Sequence, residues 1–159
     1  MMHVLFVDDN EVNRFLAVKI FQRLGCSIAT ANNGQHALEY LSGPFPRPDI
    51  IFMDISMPIM DGIEATRIIR TQPPFSTDPQ VQRTPIIGLT ASAIGIGLGE
   101  DKMFGFNDFM RKPMKVSAAR SQLRFWTRKE IMPPYAGVGA SSGFMVGIQR
   151  RHRGPRSRI

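Results

Sequence analysis

The sequence predicts an α/β domain, a doubly wound five-stranded parallel sheet with helices on both faces. Short apolar runs of strand length alternate five times with segments whose apolar residues recur every three or four positions. The run at 50–53 is apolar throughout, as a strand covered on both faces must be. Hydrophobic residues make up 43% of 159, enough for one domain core and too many for a disordered chain. In such an alternation the right-handed crossovers lay successive helices over the sheet.

The first strand is expected at 3–7. A helix follows at 10–24, where Val12, Leu16, Ile20 and Leu24 stand four apart, reinforced by Phe15, and Gly25 ends it. A brief second strand lies at 27–30. Ala37, Leu38 and Leu41 mark the second helix, stopped by Gly43 and Pro44. After the third strand at 50–53 comes a helix at 61–70 carrying Ile63, Ile68 and Ile69. Strands at 85–89 and 107–110 complete the sheet. Val116, Ala119, Leu123 and Trp126 form the last helical face, halted by Pro133 and Pro134.

Two segments fit this plan poorly. Residues 71–84, with Pro73, Pro74 and Pro79, read as a spacer or docking loop at the N-terminal edge of the sheet. Gly95, Gly97 and Gly99 interrupt the expected fourth helix at about 1 kcal/mol each, so it should be short or shifted toward 100–104. The domain spans 3–131. Residues 132–159 form a glycine-rich and then arginine-rich tail, expected to be flexible.

Charge follows the same division. The net charge is +7, yet five arginines and no acid lie beyond residue 132, leaving 15 basic and 13 acidic side chains before it. A folded body near +2 argues against a nucleic-acid-binding domain and leaves only the tail for such contact. A single cysteine, Cys26, excludes an internal disulfide, and His3, His36 and His152 are too scattered for a zinc site. A reducing, cytoplasmic setting is expected. No apolar run approaches the ~18 residues of a membrane span, and Met1-Met2-His3 leads into Val4 without a secretory pattern.

Ligands of open α/β sheets bind beyond the carboxyl ends of the strands. Asp8 and Asp9 follow the first apolar run, Asp54 the third, Thr90 the fourth and Lys112 the fifth. Each has an ordinary explanation alone: a helix cap, a turn, a strand end, a solvated charge. Together they place three carboxylates on one edge, where they repel and need a cation. Magnesium suits oxygen donors and retains sites for water and phosphate. With Lys112 beside it, such an edge would receive a phosphoryl group, a carboxylate would act as nucleophile, and Thr90 would donate a hydrogen bond.

The set Val7-Asp8-Asp9-Asn10, Met53-Asp54-Ile55-Ser56-Met57-Pro58 with Asp61-Gly62, Leu89-Thr90-Ala91 and Arg111-Lys112-Pro113 resembles the receiver domain of two-component response regulators. The resemblance implies a flavodoxin-like sheet in the order 2-1-3-4-5. It implies Asp54 as phosphoacceptor, Mg²⁺ held by Asp8, Asp9, Asp54 and the Ser56 carbonyl, and Thr90 and Lys112 on the phosphoryl group. Phe109 matches the aromatic switch position, with plain core filling as its other reading.

Asn10 and Asn13 resemble receivers that exchange phosphoryl groups with a histidine kinase or histidine phosphotransfer protein, often inside hybrid kinases. Val12, Phe15 and Pro113 are then either partner contacts or, Val12 above all, part of the domain's own core. The protein would assist its own phosphorylation and dephosphorylation without being an enzyme. Ser56 and Ser92 stand where the family tunes phosphoryl lifetime. An aspartyl-phosphate phosphatase would carry a second aspartate where Ser56 stands. The alternative is a nucleic-acid-associated regulator acting through the basic C-terminal tail.

Overall fold

The computed structural model describes residues 1–91 and 105–127. The expected fourth helix near 100–104 and the tail at 132–159 lie outside the described residues. The elements run β1 (His3–Val7), α1 (Glu11–Arg23), β2 (Ser27–Ala31), α2 (Gly34–Ser42), β3 (Ile50–Asp54), α3 (Gly62–Thr71), α4 (Pro79–Arg83), β4 (Ile86–Thr90), β5 (Asp108–Arg111) and α5 (Val116–Thr127). All five strands are parallel, in the order β2-β1-β3-β4-β5. The flavodoxin-like topology is as expected from the sequence. Chain direction reverses across the sheet between β1 and β3, so the carboxyl ends of those two strands flank the switch point where such folds bind ligands.

Strand alternation divides the core in two. Val4, Phe6, Ile50, Phe52, Ile87 and Leu89 face α1 and α5, where Phe21, Ala119, Leu123 and Trp126 meet them. Their neighbours Leu5, Val7, Ile51, Met53 and Ile86 face the other way, onto Ala37 and Leu41 of α2 and Ala65 and Ile69 of α3. Period-two alternation within nearly continuous apolar strands is what coverage on both faces demands.

Two expectations are corrected. The row Val12, Leu16, Ile20, Leu24 is not the buried face of α1. Ala17 and Phe21 face the core, Ile20 and Leu24 pack at its margin, and Val12, Phe15 and Leu16 stand in solvent. Apolar residues on both sides of one helix left the spacing ambiguous, and the sheet chose the side with the small Ala17, which lets the helix approach.

Residues 71–84 are no mere spacer. Phe75 and Val81 are buried in the second core, and 79–83 form the short helix α4. Asp78 caps it by accepting from the amides of Gln80 and Val81, and Pro79 occupies the first turn, where its missing N–H costs nothing. Buried Arg70 ties this excursion down. Its guanidinium donates to the carbonyls of Gly105, Val81, Gln82 and Thr84 and to Asn107 Oδ1, at 2.9–3.2 Å. Arg70→Ala would strand these acceptors, so urea unfolding should report a loss of at least about 3 kcal/mol.

Candidate functional site

Parallel strands deliver their carboxyl ends to one edge, and the chain places its polar residues there. Asp8 directly follows β1, and its amide donates to the Ala31 carbonyl at 3.1 Å. Asp54 and Thr90 are the last residues of β3 and β4. Lys112 follows β5, and its amide donates to the Thr90 carbonyl at 2.8 Å. Its peptide bond to Pro113 is cis.

Lys112 Nζ lies 2.8 Å from Asp54 Oδ2 and 3.2 Å from Asp8 Oδ2. Asp8, Asp9 and Asp54 each offer an oxygen within 4.8 Å of the others'. Asp8 and Asp54 are only 1% and 3% exposed, whereas Asp9 is open to solvent. Two buried carboxylates sharing one ammonium leave negative charge in excess, and an all-oxygen donor set of this size fits a hard divalent cation. The residues therefore fit the Mg²⁺ that the sequence implies.

Glycine lets α3 begin in close contact with the Asp54 backbone. A Cβ on Gly62 would fall 2.0 Å from the Asp54 carbonyl oxygen, so no larger residue fits where α3 begins. Asp61 caps that helix, accepting from the Glu64 amide at 2.8 Å. The Asp61-Gly62 pair thus lets α3 start directly against the end of β3. The Ser56 amide reaches back to Asp54 Oδ1 at 3.3 Å.

Asp8 is gripped by the first turn of α1. Its Oδ1 accepts from the Asn10 amide at 2.9 Å and its Oδ2 from Asn13 Nδ2 at 3.2 Å, while Arg14 donates to its backbone carbonyl at 2.9 Å. Asn10 meanwhile caps α1 through the Asn13 amide. Sequence reasoning linked Asn10 and Asn13 to a partner and passed over Arg14. A signal was present: donors two, five and six residues after a strand-end acid can all reach back to it once a helix starts between them.

Burial pushes the Asp54 carboxyl up from the usual carboxylate range. The hydrogen bond and charge of Lys112 and the Ser56 amide pull it down, while the charge of Asp8 adds to the rise. For Lys112 burial acts downward, but the hydrogen bond and charge of Asp54 and those of Asp8 outweigh it, holding the ammonium above its usual value. The two directions agree in cause. Asp54 is almost wholly enclosed, so desolvation wins there, whereas the Lys112 side chain keeps 22% of its surface and faces two carboxylates.

Thr90 is buried at the strand end and Ser56 is exposed. Phe109 lies partly exposed on β5, in register with Gly88 of β4 and two residues short of Thr90. Its ring fills the space that a Gly88 Cβ would need, 2.5 Å from the nearest ring carbon, and packs at 5.0 Å on Phe106.

Fold and site define a strand-end cluster of acids and a lysine on a flavodoxin-like sheet, and comparison with known proteins names the class. The model of the response regulator receiver domain family matches residues 4–124. The chain belongs to that family. It is 32% identical over 122 residues to Hybrid signal transduction histidine kinase A of Dictyostelium discoideum, covering 77% of this chain and 6% of that protein. It is 36% identical over 110 residues to the transcription factor SKN7 of Chaetomium thermophilum, covering 69% of this chain and 13% of that one. The chain thus spans only a small part of the curated relatives it matches.

Among solved structures, the receiver domain of the sensor histidine kinase PA1611 from Pseudomonas aeruginosa, with magnesium coordinated in its active-site cleft, is 33% identical. That match has a TM-score of 0.63 and covers 79% of this chain and 96% of the other. The chemotaxis response regulator CheY4 of Vibrio cholerae is 29% identical with a TM-score of 0.67, covering 79% of this chain and 98% of that one.

Removing Lys112 leaves two buried carboxylates without their cation. Lys112→Ala should cost about 1–3 kcal/mol at neutral pH, below the limit for a fully buried pair because Lys112 is partly solvated. The Asp54 carboxyl already lies above its unfolded value, so the folded state keeps that proton to higher pH than the unfolded chain does. The deficit should therefore shrink as pH falls through the carboxylate range, and also in millimolar Mg²⁺. Thermal melts of both proteins across pH and Mg²⁺ measure it.

Proposed function

We propose that the protein is a phosphorelay signalling domain that accepts a phosphoryl group from a phosphohistidine donor onto Asp54 in a Mg²⁺-dependent reaction. The observation that carries this reading is the Lys112 ammonium lying between Asp54 and Asp8, 2.8 and 3.2 Å from their carboxylates, with Asp9 alongside. Asp8, Asp9, Asp54 and the Ser56 carbonyl would hold Mg²⁺. When bound, the metal supplies positive charge that screens a phosphoryl dianion as it nears the acids.

An Asp54 carboxylate oxygen attacks phosphorus, the new O–P bond forms as the P–N bond breaks, and the electron pair returns to the imidazole nitrogen. Burial that raises the Asp54 carboxyl also makes its carboxylate more basic and a better nucleophile. Lys112 neutralises Asp54 before transfer and donates to a phosphoryl oxygen after it. Thr90 donates its hydroxyl to another, and Phe109, seated on Gly88, turns as Thr90 is drawn in. The altered surface is the output. The protein is a phosphoacceptor that assists its own phosphorylation and dephosphorylation, without turnover of a free substrate.

The donor is a histidine kinase or histidine phosphotransfer protein, in keeping with the hybrid kinases among the relatives. Val12, Phe15 and Leu16, 64%, 61% and 50% exposed beside the site, give such a donor an apolar face on α1. No described helix is long and apolar enough to cross a membrane.

With Mg²⁺ and a small phosphodonor such as acetyl phosphate, reductive trapping and mass spectrometry should locate the modification at Asp54. Asp54→Asn should abolish it, and EDTA should block it without unfolding the protein. Full labelling of the Asn variant, or labelling in EDTA, would refute the assignment.

A further inference from the structure

A further concave feature lies at the β2 edge of the sheet. Strand β2 is the outermost strand on its side, and α2 returns beside it. Between them opens a cleft of about 520 Å³, bordered by Thr30 of β2, Arg14 of α1, His36, Glu39 and Tyr40 of α2, and Phe45. That volume falls in the range of small-molecule sites.

One end of the cleft is an aromatic wall held in place. The Phe45 ring stacks on Tyr40, with centroids 5.1 Å apart and planes 10° from parallel. Gly43 supplies the room, because a Cβ there would fall 2.7 Å from Phe45 Cε2. The Tyr40 hydroxyl donates to the Pro46 carbonyl at 2.8 Å and so accepts from His3 Nε2 at 2.7 Å. Phe45 is nevertheless 53% exposed, a fixed ring on which a planar group can stack.

The other end is rich in donors. Arg14 gives one N–H to the Asp8 carbonyl at 2.9 Å, and its remaining N–H groups have no partner among the described residues. The exposed His36 ring likewise has none there. Glu39 stands between the two ends. Its carboxylate accepts only a long bond, 3.4 Å, from Gln35 Nε2. His36, Glu39 and Tyr40 share one side of α2, with about 6 Å of helix between His36 and Tyr40. Phe45 continues the row past the helix end at Ser42.

We infer that this cleft is a binding site for a nucleoside monophosphate. Arg14 and His36 take the phosphate, as a guanidinium and a second N–H donor suit its oxygens. Glu39 accepts from the sugar hydroxyls, and Phe45 carries the base, since every base has a π-face. Free phosphate would leave the ring uncovered, and an uncharged aromatic ligand would leave the donors unused. The order along α2 matches the order of phosphate, sugar and base.

Titration calorimetry with AMP in EDTA tests this, because without a divalent cation the acid cluster repels phosphate. AMP should bind with a Kd of about 1 mM or below, at least about fivefold tighter than adenosine or inorganic phosphate. H36A and F45A should each weaken AMP by about fivefold or more, while F45W stays within about twofold. Arg14 is left in place because it also holds Asp8. His36 is exposed, so H36A keeps the fold even where F45A disturbs Tyr40, and Tm checks both.

Absence of binding up to about 10 mM AMP would overturn the inference. So would adenosine or phosphate binding as tightly as AMP, because the cleft would then not join the two ends. An AMP affinity unchanged by H36A, or by F45A in a folded protein, would place the nucleotide elsewhere and overturn it as well.

Discussion

The ammonium of Lys112 lies between the carboxylates of Asp8 and Asp54, which stand side by side with almost no water around them. Two carboxylates enclosed together repel, and a shared ammonium offsets that repulsion. Lys112 meets both carboxylates from the end of β5, the far edge of the sheet, while Asp8 and Asp54 come from its centre. The site therefore exists only when β1, β3, β4 and β5 are in register. Site and fold are coupled through one ion pair, and the strand order is what makes the pair reachable.

Rigid surroundings support this arrangement. Asn10, Asn13 and Arg14 hold Asp8 from the first turn of α1, Gly62 lets α3 start against the Asp54 carbonyl, and Arg70 locks α4 to the segment entering β5. The last of these matters for the far side of the site. Phe106 follows Gly105 directly and Phe109 lies two residues beyond Asn107, so the anchorage of Gly105 and Asn107 sets where the aromatic pair rests against Gly88. The placement of Asp8 and the aromatic packing are thus fixed by neighbours outside the acid cluster.

The exposed surface has the opposite character. Val12, Phe15 and Leu16 on α1, together with Ile59, stand in solvent around the acids, where a domain optimised for stability alone would carry polar groups. Buried charge at the centre and apolar rims around it are both costly in the isolated domain. Under the proposed function each becomes favourable when something docks: a cation for the acids, another protein for the rims.

Much of this was legible in the chain. Strands could be read because β1, β3 and β4 are nearly continuous apolar runs, and their terminal residues Asp8, Asp54 and Thr90 mark the edge where chemistry gathers. Loop chemistry was legible wherever a cap and a glycine adjoin, as at Asp61-Gly62. Linear spacing cannot say which side of a two-sided apolar helix faces inward, so the outward Val12 and Leu16 were misassigned. It also underrated Asp78-Pro79, whose cap matters only because Phe75 and Val81 find room in the core. Residue types and the alternation of elements are local properties and determined the fold class and which acids stand at the strand ends. That Lys112 spans two carboxylates depends on distances between segments up to about a hundred residues apart, which only the closed sheet decides.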